Sequence, residues 1–202
     1  MERAVSAQQS RIKTIVYSGL AIALVAVSAW ITVPLGPIPF TLQTLTVCFV
    51  IFALKPKQAM IALCGYVALG AMGLPLFSSF RGGLAALLGP TGGFIMSYVI
   101  GGGLCIALAM ALKSLPVFSD TKDVSFFGTR IARGQLLRNL IVGLVFIALN
   151  YAFGWAWFIV VGHVSAEVAF ATAIAPFIGV DLIKMILAIL LAQAVSAVTN
   201  RA

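Results

Sequence analysis

Six apolar runs, separated by short segments rich in proline, glycine or basic residues, constrain the fold of this chain more than any other feature. They dominate the composition, since 62% of the 202 residues are hydrophobic and only 9% are charged. A soluble domain contains about 25% charged residues, so this chain has too little polar surface to face water. The runs are apolar on every side rather than alternating with polar residues, which predicts membrane helices and not membrane strands.

The runs predict an all-α integral membrane protein, folded as one six-helix transmembrane bundle over residues 1–202. The predicted spans are about 14–33, 41–54, 58–74, 92–112, 136–157 and 178–198. The first run is too long for the apolar region of a signal peptide, and we expect it to remain as the first span. The second run is short for the ~20 residues that a perpendicular span needs.

The basic residues predict how the bundle is oriented. With the N-terminus inside, eleven of the thirteen lysines and arginines fall in inner segments, namely Arg3, Arg11, Lys13, Lys55, Lys57, Lys113, Lys122, Arg130, Arg133, Arg138 and Arg201. Only Arg81 falls in an outer segment, and Lys184 lies within a span. This asymmetry follows the positive-inside rule and predicts that both termini are cytoplasmic. The net charge of +8 is therefore a signal of topology and does not indicate a nucleic-acid partner.

Two opposite charges lie inside the last apolar run, in the segment PFIGVDLIKMILA at 176–188. Asp181 and Lys184 are three residues apart, so they share one face of a helix and can partly neutralise each other. An ionisable residue in a lipid-spanning helix costs about 2.5–3.5 kcal/mol, which makes packing a poor reason to keep two of them. We interpret the pair as polar anchors for a bound solute.

Three further polar residues are candidates for the same site, each with an alternative. Gln43 follows the proline-rich segment VPLGPIPF, and it either contacts a ligand or satisfies the carbonyls of that segment. Arg81 either pairs with a carboxylate or lies among lipid headgroups. Asn150 is deep in the fifth run and needs a partner, which either the protein or a ligand supplies.

The sequence carries no signature of catalysis or of metal binding, and we predict neither an enzyme nor a cofactor. Cys48, Cys64 and Cys105 lie in apolar runs at irregular spacing, which fits neither a disulfide framework nor a zinc site. His163 and Ser165 do not make a nucleophile–base pair, because no further element of a catalytic motif accompanies them. Since no Walker motif is present either, uphill uptake of a solute needs energy from a partner, and without one transport is only facilitated.

Gly19 and Ala23 give the first run a spacing of two small residues four positions apart. This spacing lets a second helix approach closely. The second helix belongs either to the same bundle or to another subunit. The same spacing recurs at Ala107 and Ala111 and at Ala188 and Ala192, with the same two interpretations.

Three runs, in this order, resemble the BioY family: PLGPIPFTLQTL, GLPLFSSFRGGLAALLGPTGGF and PFIGVDLIK. BioY proteins are the biotin-binding S components of prokaryotic energy-coupling factor (ECF) transporters. The resemblance, over about 14–198, implies a six-helix subunit of the cell membrane that captures biotin in an outward pocket, as a ligand and not as a cofactor. It implies that the acid and base of the last helix, here Asp181 and Lys184, reach the ligand. It also implies a transmembrane coupling subunit and two ATPase subunits as partners, with Gly19 and Ala23 at the coupling contact.

Biotin has a neutral ureido ring and a carboxylate, and the candidate residues supply matching groups. The polar candidates are Asp181, Lys184, Gln43, Asn150 and Arg81, and the flat apolar ones are Trp30, Tyr98 and Tyr151. Where the family usually has a tyrosine at the end of its glycine-rich run, this chain has Phe94. The alternatives are an S component for a different small vitamin and a structural or channel-forming bundle. The sequence leaves open whether the chain forms homo-oligomers.

Overall fold

The structure, a computed structural model, describes residues 2–199 and the side chains of residues 8–196. Arg3 and Arg201, two of the predicted inner basic residues, have side chains outside this description. The α-helices are α1 (Glu2–Trp30), α2 (Gln43–Ala53), α3 (Pro56–Ala71), α4 (Leu84–Leu88), α5 (Gly92–Lys113), α6 (Arg133–Gly162), α7 (Ala166–Ala173) and α8 (Ile178–Thr199). The strands are β1 (Thr32–Val33), β2 (Phe40–Thr41), β3 (Asp123–Phe126) and β4 (Thr129–Ala132).

The helices follow the apolar runs, with differences at their ends. Four stretches are long and apolar enough to cross a membrane, namely Gln8–Trp30, Gly92–Lys113, Arg133–Gly162 and Ile178–Ser196. The prediction of a helical membrane fold is thus confirmed at this level. The runs 41–54 and 58–74 form helices of 11 and 16 residues, α2 and α3, which are shorter than the ~20 residues of a perpendicular span.

Two short antiparallel hairpins were not predicted. Strand β1 lies at the end of the predicted span 14–33 and β2 reaches the start of the predicted span 41–54, so these span ends were wrong. Strand β1 pairs with β2 so that Thr32 lies opposite Thr41. The proline-rich segment between these strands contains no helix, because proline cannot continue one, and it bends at residues 36–38. Strand β3 pairs with β4 around a tight turn at Phe127 and Gly128, where both residues have a positive φ.

Connecting segments 31–42, 72–91 and 163–177 meet at one end of the bundle, which we call the cavity end. Indole nitrogens tie helices to these segments. The Nε1 of Trp30 donates to the Pro75 carbonyl over 2.8 Å, and that of Trp157 donates to the Gly89 carbonyl over 3.0 Å. The α2–α3 turn and segment 114–132 lie at the opposite end, which we call the basic end.

Helices α5 and α6 approach each other closely through glycine. A Cβ atom on Gly154 would overlap the ring of Phe94, and one on Gly93 would overlap the Cβ of Trp157. Both positions therefore need hydrogen in place of a side chain. Since Phe94 also borders the cavity described below, this contact sets the position of one cavity wall.

Replacing Gly154 with alanine is expected to destabilise the fold by about 1–3 kcal/mol, because the added methyl overpacks a buried contact. Thermal unfolding in detergent micelles measures the loss. The matched control is Gly19→Ala, since nothing lies within 4 Å of a Cβ at Gly19, and exposed changes of this kind shift stability by about 0.5 kcal/mol or less. Equal melting temperatures for the two variants would contradict the role given to Gly154.

Candidate functional site

A cavity at the cavity end has about 540 Å³ of space between protein atoms, part of it open to solvent. Helices α2, α5, α6 and α8 and the segment around β2 form its walls. Six of the eight predicted site residues line it, namely Gln43, Tyr98, Asn150, Tyr151, Asp181 and Lys184.

A buried ion pair forms the charged part of the cavity. The Nζ of Lys184 lies 2.8 Å from Oδ1 of Asp181, and both residues are only 4% exposed. Asp181 stands in the first turn of α8, where the positive end of the helix dipole favours a carboxylate. The spacing of three residues brings the two side chains together on one helix face, as predicted.

Each member of the ion pair has further partners from other parts of the chain. The hydroxyl of Tyr151 donates to Oδ2 of Asp181 over 2.7 Å. The ammonium of Lys184 donates to the carbonyl of Thr41 over 2.7 Å and lies 3.9 Å from the centre of the Phe40 ring. These contacts help to offset the free-energy cost of removing the two charges from water. The attraction within a buried ion pair alone does not fully offset that cost.

Gln43 belongs to a hydrogen-bond chain that joins two connecting segments at the cavity end. Its Nε2 donates to the hydroxyl of Tyr66 over 2.8 Å, and that hydroxyl donates to the carbonyl of Leu76 over 3.0 Å. Its Oε1 accepts from the hydroxyl of Thr41 over 3.1 Å. The partners of the Gln43 amide in the structure are thus protein groups at the cavity wall. They are the side chains of Thr41 and Tyr66, whereas the sequence suggested carbonyls of the proline-rich segment.

Tyr66 is a site-supporting residue that the sequence analysis missed. It is completely buried, and its hydroxyl holds the side chain of Gln43 in place by accepting from Nε2. One feature of the sequence does distinguish it, because Tyr66 is the only aromatic residue in the run 58–74. A buried tyrosine usually has a hydrogen-bond partner for its hydroxyl, so a tyrosine in this apolar run predicts a polar partner on another segment.

Asn150 and Tyr98 also line the cavity. The hydroxyl of Ser97 lies 2.6 Å from Oδ1 of Asn150, so the protein supplies one partner for this amide. No hydrogen bond to its Nδ2 is found among the described residues, and that nitrogen can donate into the cavity. The ring of Tyr98 packs between those of Tyr66 and Phe146, with centroid distances of 6.4 and 6.5 Å.

Trp30 and Arg81, the two remaining predicted residues, do not line the cavity. The ring of Trp30 stacks on that of Phe80 with a centroid distance of 5.1 Å. The exposed Arg81 guanidinium donates to the carbonyl and the hydroxyl of Ser78 over 3.2 and 3.3 Å. Since Ser78 does line the cavity, Arg81 contacts a cavity residue without lining the cavity itself.

Further residues line the cavity, and among them the sequence analysis discussed only Phe94. They include Phe40, Thr41, Thr44, Ser78, Thr91, Phe94 and Phe177. Most are aromatic or hydroxyl-bearing, so the cavity combines flat apolar walls with a few polar groups. Among the described residues, no group of three or more metal-ligating side chains is found. The arrangement is suited to holding a small polar molecule with an apolar frame.

Comparisons with known proteins give one family. A sequence model described as "BioY family" matches residues 1–201. The biotin transporter BioY of Thermotoga maritima is 33% identical over 180 residues, which cover 89% of this chain and 94% of that protein. A probable biotin transporter BioY of Pyrococcus horikoshii is 30% identical over 174 residues, which cover 86% and 90%.

A solved structure has the same fold. It is the S-component for biotin from an ECF-type ABC transporter, with a TM-score of 0.73 over 94% of this chain and 93% of that one, at 23% identity. Together with the four long apolar helices, these similarities identify a multi-pass membrane protein. The family match over nearly the whole chain confirms the resemblance that the three sequence runs suggested: this chain belongs to the BioY family.

Proposed function

We propose that this chain binds biotin in the cavity around Asp181 and Lys184 and serves as the substrate-binding subunit of an ECF-type transporter. The observation that carries the proposal is the buried ion pair, because it borders an open space instead of being closed in by other helices. The relatives named above are biotin transporters. The proposal assigns no catalysis to the chain, in agreement with its membership of a transporter family.

We further propose which end of biotin lies deeper. Burying a carboxylate costs far more than burying a neutral polar ring, so the ureido ring enters first and the carboxylate stays near solvent. The oxygens of Asp181 can accept from the ureido N–H groups, and Nδ2 of Asn150 can donate to its carbonyl. Lys184 already has two oxygen partners and an aromatic face, whereas Arg81 is exposed and, among the described residues, only Ser78 accepts from its guanidinium. We assign the carboxylate to Arg81.

The proposed topology has six spans and cytoplasmic termini. Helices α1, α2, α3, α5, α6 and α8 are the spans, and α4 and α7 lie at the outer cavity end. Lysines and arginines collect at the opposite end, as the positive-inside rule requires of the cytoplasmic side. The proposed partners are the transmembrane coupling subunit, two ATPase subunits and the surrounding lipid, with contact through Gly19 and Ala23. Size-exclusion chromatography with light scattering tests directly whether the chain self-associates.

Titration calorimetry of the purified protein in detergent tests the ligand and its orientation together. Biotin is expected to bind tightly, while two chemically different vitamins, thiamine and riboflavin, are expected not to bind. Biotin methyl ester is expected to bind more weakly than biotin, and Arg81→Gln is expected to abolish this difference. Unchanged discrimination in Arg81→Gln would refute the assignment of the carboxylate, and absence of biotin binding in the parent protein would refute the function. Selective ion flux through liposomes would favour the alternative of a channel.

A further inference from the structure

A second groove lies at the basic end, away from the biotin cavity. It has about 1780 Å³ of space between protein atoms, part of it open to the surroundings. One wall is the α1 helix over residues 9–24, and the other walls are the last turn of α2, the α2–α3 turn and the last described part of α8. None of the residues that line this groove is among those assigned above to biotin or to the coupling contact.

The groove is cationic at one end and apolar at the other. Lys13 and Lys55 line it together with hydroxyl and amide side chains, among them Thr14 and Tyr17. No acidic residue is among the described residues that line it. Farther along α1 the lining becomes apolar, with Leu20, Leu24 and Phe49. The two leucines are 63% and 42% exposed, so this end presents unpartnered apolar surface.

The cationic end is held in place by the protein itself. The backbone N–H of Lys55 donates to Oε1 of Gln58 over 3.2 Å, which fixes the start of α3. The hydroxyl of Ser18 donates to the carbonyl of Gln58 over 3.0 Å, which ties α1 to the same turn. The groove is therefore a shaped feature of the bundle, with a fixed distance between its two lysine-bearing segments.

We propose that this groove binds one anionic phospholipid, with the phosphate at Lys13 and Lys55 and an acyl chain along Leu20, Leu24 and Phe49. Basic pockets between membrane helices are suited to anionic headgroups, and the apolar half of the groove matches a hydrocarbon chain. A zwitterionic lipid fits less well, because its ammonium group would meet two lysines and no acid. Charge complementarity thus selects an anionic lipid over phosphatidylcholine.

The lysine-bearing part of the groove and Gly19 lie on different faces of α1, whereas Leu20 in the apolar part is only about 60° around the helix from Ala23. At 100° per residue, Gly19 is about 200° around the helix from Tyr17. The buried face of α1, marked by Val25 and Ala29, lies between them. Substitutions in the groove can therefore be tested without altering Gly19, Ala23 or the biotin cavity.

Native mass spectrometry of the delipidated protein, titrated with phosphatidylglycerol or phosphatidylcholine, tests the proposal. One phosphatidylglycerol is expected to be retained selectively. In the double variant K13Q/K55Q its affinity is expected to fall about 30-fold, since each lysine at an anionic surface contributes a factor of about five. The matched control, K57Q/K113Q, removes two exposed lysines at the same end that do not line the groove, and it is expected to retain the parent affinity.

A second variant tests the apolar half. Ala53→Phe places a ring in the groove, because Ala53 lines it, and it is expected to weaken retention of phosphatidylglycerol while biotin affinity is unchanged. Equal retention of the two lipids by the parent protein would overturn the proposal, as would equal losses in K13Q/K55Q and its control. Full competition by soluble glycerol phosphate would show a site for phosphate alone and would also overturn it. Burial of both lysines in a stable dimer would replace the lipid with a second copy of the chain.

Discussion

Replacing Asp181 with asparagine is expected to weaken biotin binding by roughly 100-fold. The change removes the negative charge and replaces one of the two oxygens that accept from Lys184 and from the hydroxyl of Tyr151 with a donor nitrogen. It thereby weakens the proposed acceptor for the ureido ring. Truncating one member of a buried, hydrogen-bonded charge pair costs about 2–5 kcal/mol at an interface, and 2.7 kcal/mol corresponds to a factor of about 100. Titration calorimetry in detergent measures the dissociation constant directly.

Part of that loss could come from the fold, because the variant leaves the Lys184 ammonium buried without a counter-charge. The double variant Asp181→Asn/Lys184→Met removes both charges and is expected to melt closer to the parent protein than the single variant does. Its biotin affinity is expected to stay low. Recovery of binding in the double variant would mean that the pair holds helices and not the ligand. Glu167→Gln is the matched control, because this exposed carboxylate at the same end does not line the cavity.

Replacing Gly19 with leucine is expected to lower ATP-dependent biotin uptake at least about tenfold while biotin binding stays unchanged. Gly19 and Ala23 are exposed on α1, and nothing lies within 4 Å of a Cβ at Gly19, so the bundle itself tolerates the larger side chain. A partner helix that packs closely against two small residues does not. A loss of about 1.4 kcal/mol at that contact gives the factor of ten.

Uptake of labelled biotin into proteoliposomes that contain the coupling and ATPase subunits measures this effect. The matched control is Ala152→Leu, since Ala152 is an exposed small residue on α6, away from α1. The control is expected to transport at the parent rate. If Gly19→Leu transports equally well, the coupling contact lies elsewhere on the chain.

The parts of this protein that could be predicted from its sequence are those fixed by neighbours along the chain. Apolar runs locate the helices because lipid forces each segment to satisfy its own backbone hydrogen bonds. The ion pair followed from a spacing of three residues and from the high cost of charges in such a run. Both arguments are local, and the 2.8 Å contact between Asp181 and Lys184 agrees with them.

The parts that could not be predicted depend on contacts between distant segments. The Thr41 carbonyl that accepts from Lys184 is 143 residues away along the chain, and no local pattern announces that contact. For the same reason Trp30 was expected at the ligand, whereas its indole binds the Pro75 carbonyl. The hairpin of β3 and β4 was hidden in a polar segment whose charges suggested only topology. Tyr66 was overlooked because its partner, Gln43, belongs to another helix.

Helix α2 has 11 residues, which gives it a length of about 16 Å against about 30 Å for the hydrocarbon core of a bilayer. The cavity begins where this helix begins, beside Gln43. Because α2 is short, part of the depth of the bilayer beside it is left open for a ligand. The side chains of a full-length helix would fill that space. A vitamin bound in the proposed cavity has therefore already entered the bilayer when it binds. The ATP-dependent step has to move it only through the remaining thickness.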